Sequence, residues 1–86
     1  MTFIIYNIFM NENELYKTIA SNIKKYRINH NHMSQNKLAR ITNVSLNKIK
    51  NIERGKSNIT TDISILYKIS IVLEIPINRF FENNDK

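Results

Sequence analysis

Glycine and proline each occur only once in these 86 residues, so they mark the ends of very few secondary-structure elements. Apolar residues recur instead at steps of three and four, the spacing of one face of a helix. Asn, Ser and Thr must therefore provide most of the helix caps and turns. We expect an all-α chain, a bundle of four to five short helices joined by short polar connections.

Two helices are predicted in the first half of the chain. The first covers residues 14–29 and places an apolar stripe on one side, made up of Leu15, Ile19, Ile23 and Tyr26. Ser34 is a favourable N-cap for a shorter helix that extends to Ile41, with Leu38 and Ile41 facing the core. Asn43 follows it, and asparagine tolerates the left-handed conformation that a tight turn requires.

The third predicted helix starts after Ser45, a second favourable N-cap, and extends to about Arg54. Ile49 and Ile52 lie on its inward face. Gly55 follows directly, at the place where a helix C-terminus favours positive φ.

The fourth predicted helix follows a polar stretch over residues 56–62 and ends at Pro76. Its inward set includes Ile65 or Leu66, together with Ile69, Val72 and Leu73. A last short turn carries Phe80 and Phe81, which close the core. We therefore divide the chain into an apolar N-terminal arm (1–10), a helical domain (11–82) and a polar tail (83–86).

Positive charge is concentrated in one part of the chain. The segment Lys17–Lys56 carries ten Lys or Arg residues and a single acid, Glu53, for a net charge of +9. The remaining residues carry three cations and six acids. A basic region beside a mildly acidic one is typical of a surface that binds a polyanion, although a solvated lysine-rich face has the same composition.

The two short helices over residues 34–54 have the pattern of a helix-turn-helix. Ala39 provides the small side chain that two steeply crossing helices need at their contact. On the outer face of the second helix, one polar stripe without an acid lies at i, i+3, i+4 and i+7: Asn47, Lys50, Asn51 and Arg54. Leu46 lies at its N-terminal edge. Asn, Lys, Arg and Leu can each contact base edges or phosphates in the major groove.

The run SQNKLARITNVSLNKIKNIERGKSN resembles the helix-turn-helix of the Cro and phage-repressor family of transcription regulators. Its most specific elements are Ser34-Gln35, Leu38-Ala39, Val44-Ser45, Ile49 and the run from Ile52 to Gly55. The resemblance extends over about residues 19–81 and implies a lambda-repressor-like fold. Asn43 departs from the family pattern, which commonly has glycine there, and two loops are slightly longer.

The resemblance also implies roles for individual residues. Gln35 opens the first helix of the motif, where it contacts phosphate and braces the recognition helix. Arg27 and Glu53 form a structural ion pair between the first helix and the recognition helix. The expected DNA-binding set is Ser34, Gln35, Lys37, Ser45, Leu46, Asn47, Lys50, Asn51, Arg54 and Lys56.

Other classes of function find little support in the sequence. Without cysteine the chain has no disulfide and no thiolate zinc site, and His30 and His32 offer too few ligands for a metal, so we interpret them as solvated loop histidines. No catalytic arrangement and no cofactor motif is recognisable. No apolar run reaches the length of a membrane span. We expect a cytoplasmic protein of bacterial or phage origin.

Two function classes remain. The first is a sequence-specific regulator that binds double-stranded DNA as a homodimer on a palindrome, with repression of transcription as the default outcome. A controller of a restriction–modification system is a variant of this class. The second is a protein-interaction module on the same fold, such as an antitoxin, with the arm over residues 1–10 as its partner-binding surface.

Overall fold

A computed structural model describes residues 11–55 and 62–83, and these fold into four α-helices and one 3₁₀ helix with no strand among them. The predicted all-α architecture is therefore confirmed. The proposed N-terminal arm, Lys56 and most of the predicted tail lie outside the described residues. The elements are α1 (Glu12–Asn29), α2 (Gln35–Thr42), α3 (Leu46–Arg54), α4 (Ile63–Leu73) and the 3₁₀ helix (Ile77–Phe81).

Helix α1 begins two residues before the predicted start at Glu14. Asn11 is its N-cap: its Oδ1 accepts a hydrogen bond from the Glu14 N–H at 2.8 Å. The Glu14 carboxylate in turn accepts from the Asn11 N–H at 3.2 Å. This reciprocal capping box satisfies two amides that the helix leaves without partners, which explains the earlier start.

The prediction that Ile41 faces the core is wrong. Ile41 is 50% exposed, whereas Leu38, Ala39 and Thr42 of the same helix are buried. At 100° per residue, these three positions define an inward direction from which Ile41 points away. Thr42 is accommodated inside because its hydroxyl donates to the Leu38 carbonyl at 2.7 Å.

Helix α4 ends at Leu73, earlier than the proline predicted to end it. Glu74 adopts the left-handed conformation at φ 58°, and its N–H bonds to carbonyls of the last turn. The Ile75 N–H reaches the Ser70 carbonyl at 3.1 Å, which completes a Schellman-type end. Pro76 instead precedes the 3₁₀ helix.

The core lies between the two halves of the chain. Helix α1 packs against α3 and the 3₁₀ helix, and α2 packs against α3 and α4. Asn22, buried on α1, donates from Nδ2 to the carbonyls of Phe80 and Glu82, both at 2.8 Å, and so fixes the C-terminal segment. The buried apolar residues are Ile19, Ala20, Ile23, Met33, Leu38, Ala39, Ile49, Ile52, Leu66, Ile69, Leu73 and Phe80.

Helix α4 is apolar on two faces. Leu66, Ile69 and Leu73 are buried in the core. Ile63, Tyr67 and Ile71 follow one another at steps of four on the outer side, and each is more than half exposed. We call these three residues the α4 outer stripe.

Candidate nucleic-acid interface

The turn between α2 and α3 sets how α3 leaves the core. Asn43 ends α2 in the left-handed region, at φ 58° and ψ 39°, as its residue type predicted. The Val44 N–H then donates to the Ala39 carbonyl at 3.0 Å. Alanine has a very small side chain and is also favoured inside a helix. Ala39 therefore lets α3 approach α2 closely at this point.

Both helices of the motif have the predicted serine caps. Ser34 Oγ accepts from the Lys37 N–H at 3.0 Å, and Ser45 Oγ accepts from the Lys48 N–H at 3.1 Å. Neither helix carries an acid in its first turn. Acidic side chains therefore do not compensate the positive ends of the two helix dipoles, which favours a nearby anion.

The outer face of α3 carries the predicted polar stripe. Asn47, Lys50 and Arg54 are exposed and Asn51 is half-buried, while Ile49 and Ile52 on the opposite face are in the core. Leu46 differs from the rest of the predicted set, because it is partly buried and packs against the core.

Asn51 and Arg54 act as one unit. The Arg54 Nη1 donates to Asn51 Oδ1 at 2.9 Å. This bond uses one of the two acceptor positions of the Asn51 amide oxygen, and N–H donors remain on both side chains.

The ion pair implied by the resemblance is present and largely buried. Arg27 donates from Nε and Nη2 to the two carboxylate oxygens of Glu53, at 2.7 and 2.9 Å. The side chains are 9% and 3% exposed. Arg27 Nη1 also donates to the Met33 carbonyl at 2.6 Å, and Gln35 Nε2 donates to Glu53 Oε1 at 3.0 Å.

This network fixes α3 against two other elements. Arg27 belongs to α1, Glu53 to α3 and Gln35 to the first turn of α2. Since a two-point guanidinium–carboxylate contact is directional, it restricts both the distance and the rotation of α3. The bracing contact expected of Gln35 is thus present, whereas its phosphate contact stays a prediction.

Gly55 ends α3 where the chain comes very near α1. Its φ is 69°, as predicted. A Cβ at this position would lie 3.2 Å from both Ala20 Cβ and Lys17 Cα. Glycine is therefore favoured here both by the backbone conformation and by the limited space.

A polar cleft of about 310 Å³ opens where α1, the start of α2 and α3 meet. It is lined by Lys24, Gln35, Lys50, Glu53 and Arg54. Sequence reasoning did not single out Lys24. The only available signal was that Lys24 lies one helical turn before Arg27, which places it on the side of α1 that faces α3.

The histidines do not both behave as solvated loop residues. His32 is exposed, but His30 is half-buried and its Nε2 lies 3.0 Å from Glu74 Oε2. Within residues 11–55 and 62–83, no group of three or more His, Cys, Asp or Glu side chains is arranged to hold a metal ion. The helices in those ranges are all too short or too polar to cross a membrane.

Comparison with known proteins gives consistent results. Residues 20–86 match the family model described as a helix-turn-helix domain. A hypothetical transcription factor from Neisseria is similar in structure, with a TM-score of 0.73 and 24% identity, over 86% of this chain and 82% of that one. An HTH_3 family transcriptional regulator from Vibrio cholerae has the same TM-score and coverage of this chain at 30% identity, although this match spans only 40% of the Vibrio protein. No curated protein matches the chain in sequence.

Proposed function

Because the chain belongs to the helix-turn-helix domain family, we propose that it binds double-stranded DNA by sequence and regulates transcription. The observation that carries this proposal is the outer face of α3, where Asn47, Lys50 and Arg54 are exposed on a helix whose opposite face is buried. An α-helix of this kind fits the major groove, and cations on its surface neutralise phosphates.

The proposed contacts with DNA are of two kinds, to phosphates and to bases. Ser34, Lys37 and Lys56 position the protein on the phosphate backbone, as do the amides at the starts of α2 and α3. The residues of α3 that face outward select the bases. Gln35 donates one of its two amide hydrogens to Glu53, which leaves the second for a phosphate oxygen.

The Asn51–Arg54 unit favours a particular base. Asparagine with both amide atoms available pairs with adenine, through one donor and one acceptor. Here Arg54 donates to Asn51 Oδ1, so the N–H donors of the two residues lie side by side. The two major-groove acceptors of guanine, O6 and N7, match such a unit.

The active form is a symmetric homodimer on a palindromic operator, and its default effect is repression. One recognition helix contacts only a few base pairs, so two copies about 34 Å apart are needed for specificity. The α4 outer stripe supports self-association, because covering water-exposed apolar side chains with a partner surface is energetically favourable.

Selection of bound duplexes from a random pool tests this function. We expect enrichment of an inverted repeat with half-site centres about 34 Å apart. Recovery of random duplexes would contradict sequence-dependent binding.

Asn51→Ala then tests the reading role of α3. We expect it to cost about 1–3 kcal/mol on the selected site and to relax the preference at one base pair. Asn13→Ala, an exposed asparagine at the start of α1, is the matched control and should change neither. An equal loss on all sequences would remove Asn51 from the reading set.

A further inference from the structure

We propose that two copies of this chain exchange their N-terminal arms (residues 1–10), so that the arm of one copy covers the α4 outer stripe of the other. This inference rests on the homodimer in the proposed function and names the segment that each partner contributes. It commits the stripe to one occupant, a second copy of this chain.

The α4 outer stripe concentrates the exposed apolar residues of the domain. Ile63, Tyr67 and Ile71 are 63%, 58% and 58% exposed, more than any other large apolar side chain in residues 11–55 and 62–83. Because they follow one another at steps of four, they form one continuous strip along the helix. A continuous apolar strip in contact with water is typical of a surface that another protein segment covers.

The stripe alone is too small to join two copies. A standard stable interface involves about 20–30 residues and buries about 800 Å² on each partner, far more than three side chains provide. The arm supplies further apolar surface, since eight of its ten residues are apolar and none has a charged side chain. Packing the arm on the stripe removes both surfaces from water, which is favourable.

The arm and the last turn of α4 lie at opposite ends of α1. Residues 11–14 are all exposed, and the first buried residue of α1 is Ile19, so the arm begins at an end of the helix that lies beyond the core. At the other end, Glu74 Oε2 lies 3.0 Å from Nε2 of His30, the residue that follows α1. Ile71 is one helical turn before Glu74.

This separation favours the arm of a second copy over the chain's own arm. From Asn11 to His30 the helix rises about 28 Å. Ten extended residues span at most about 33–36 Å, so an arm that reached its own Ile71 would use most of its length along α1. Little of it would then remain to pack on the stripe. The arm of a second copy has no such restriction, and reciprocal exchange closes a symmetric pair.

Cysteine pairs test the exchange directly, because the wild-type chain contains no cysteine. Phe3→Cys, Ile5→Cys and Ile8→Cys are each combined with Ile71→Cys in the full chain and oxidised mildly. Exchange places the two thiols of a pair on different chains, so we expect a covalent dimer on a non-reducing gel from at least one pair. A disulfide that closes within one chain would show that the arm covers its own stripe and would overturn the exchange.

Ile41 provides the matched control for position 71. It is an isoleucine of similar exposure, 50%, on α2 and outside the stripe. Each single variant oxidised alone gives the background, and mass spectrometry of the joined peptides identifies the pairing. Equal cross-linking of the arm to Ile41→Cys and Ile71→Cys would overturn the proposal, because the arm would have no preferred site. The absence of any disulfide between the arm and Ile71→Cys would overturn it as well.

Sedimentation equilibrium measures the same contact without cysteine. Phe3→Ala combined with Ile5→Ala removes apolar contacts from both symmetric sites, so the dissociation constant of the dimer should rise about tenfold or more. In the Ile71→Ala background the same change should have a smaller effect, because the two sets of residues touch. Thr2→Ala, at a polar position of the arm, should leave the constant nearly unchanged. An unchanged constant in the Phe3 and Ile5 variant would contradict the exchange.

The outcomes separate the exchange from the proposed function. If the arm neither cross-links to the stripe nor contributes to association, while Asn51→Ala still relaxes base preference, the exchange is wrong and the DNA-binding function stands. If the wild-type protein stays monomeric, both the exchange and the proposed homodimer fail. If the covalent dimer forms but no duplex is selected from the random pool, the exchange stands and the DNA-binding function fails.

Discussion

Helices α3 and α4 both bury an apolar face in the same core, yet they present opposite surfaces to solvent. The outward residues of α3 are polar or cationic, whereas α4 exposes Ile63, Tyr67 and Ile71. A cationic face attracts a polyanion, and an apolar face is stabilised by contact with another protein surface. The small domain thus presents a cationic surface and an apolar surface on two different helices.

The helices also differ in how they are held. Helix α3 depends on a buried polar network, in which Arg27 and Gln35 both bind Glu53. The inner face of α4 is held by close apolar packing of Leu66 and Ile69. Removing one member of a polar network leaves its buried partner unpaired, which costs much stability at once. Truncating an apolar side chain lowers the stability in proportion to the atoms removed.

Glu53→Ala should have the largest effect on stability. It leaves the Arg27 guanidinium buried without its anion, which typically costs about 3–5 kcal/mol of the free energy of unfolding. Urea denaturation followed by circular dichroism measures this. Glu12→Ala removes the same charge from an exposed position and should cost less than about 1 kcal/mol. Similar losses in both variants would show that the network does not hold α3.

Ile69→Ala and Ile71→Ala compare the two faces of α4. Ile69 is fully buried, so its truncation should cost about 2–5 kcal/mol in unfolding free energy. Ile71 is 58% exposed, and its truncation should leave monomer unfolding nearly unchanged.

The same Ile71→Ala variant should weaken self-association, which sedimentation equilibrium measures. If the α4 outer stripe is the dimer interface, the loss should be about 1–3 kcal/mol. Unchanged self-association together with unchanged DNA affinity would assign the outer stripe to another partner.

Gly55→Ala and Glu74→Gly compare the ends of α3 and α4, and their effects on unfolding should be smaller than those of Glu53→Ala and Ile69→Ala. Alanine at position 55 meets a left-handed backbone and a close contact with Ala20, so we expect a loss of about 1–2 kcal/mol or slightly more. Glu74→Gly relieves the same backbone penalty but removes the contact with His30. We expect a net change within about 1 kcal/mol. Thermal unfolding of both variants checks the order.

Local chemistry explains which parts of the fold were predictable. Ser34, Ser45 and Gly55 mark helix ends through bonds and dihedral angles that involve only neighbouring residues, and the structure has them as expected. The end of α4 was not predictable in this way, because Glu74 has no intrinsic preference for the left-handed region. Ile41 was misplaced since the inward direction of an eight-residue helix depends on its neighbours in space.

The same distinction between local and three-dimensional causes applies to the candidate site. The stripe on α3 follows from the helical period alone, so it was visible in the sequence. Lys24 and the bond between Arg54 and Asn51 were not, because each depends on where a long side chain lies in three dimensions. The double contact of Arg27 with Glu53 came from family resemblance, and spacing by itself does not indicate it.

The carboxylate of Glu53 anchors α3 from its inner side. The residues that hold α3 in place are therefore distinct from those at positions 47, 50 and 51 on its outer face. Under the proposed function, we expect that exchanging these outward side chains changes which operator the protein prefers, while the contacts of Glu53 inside the protein stay intact.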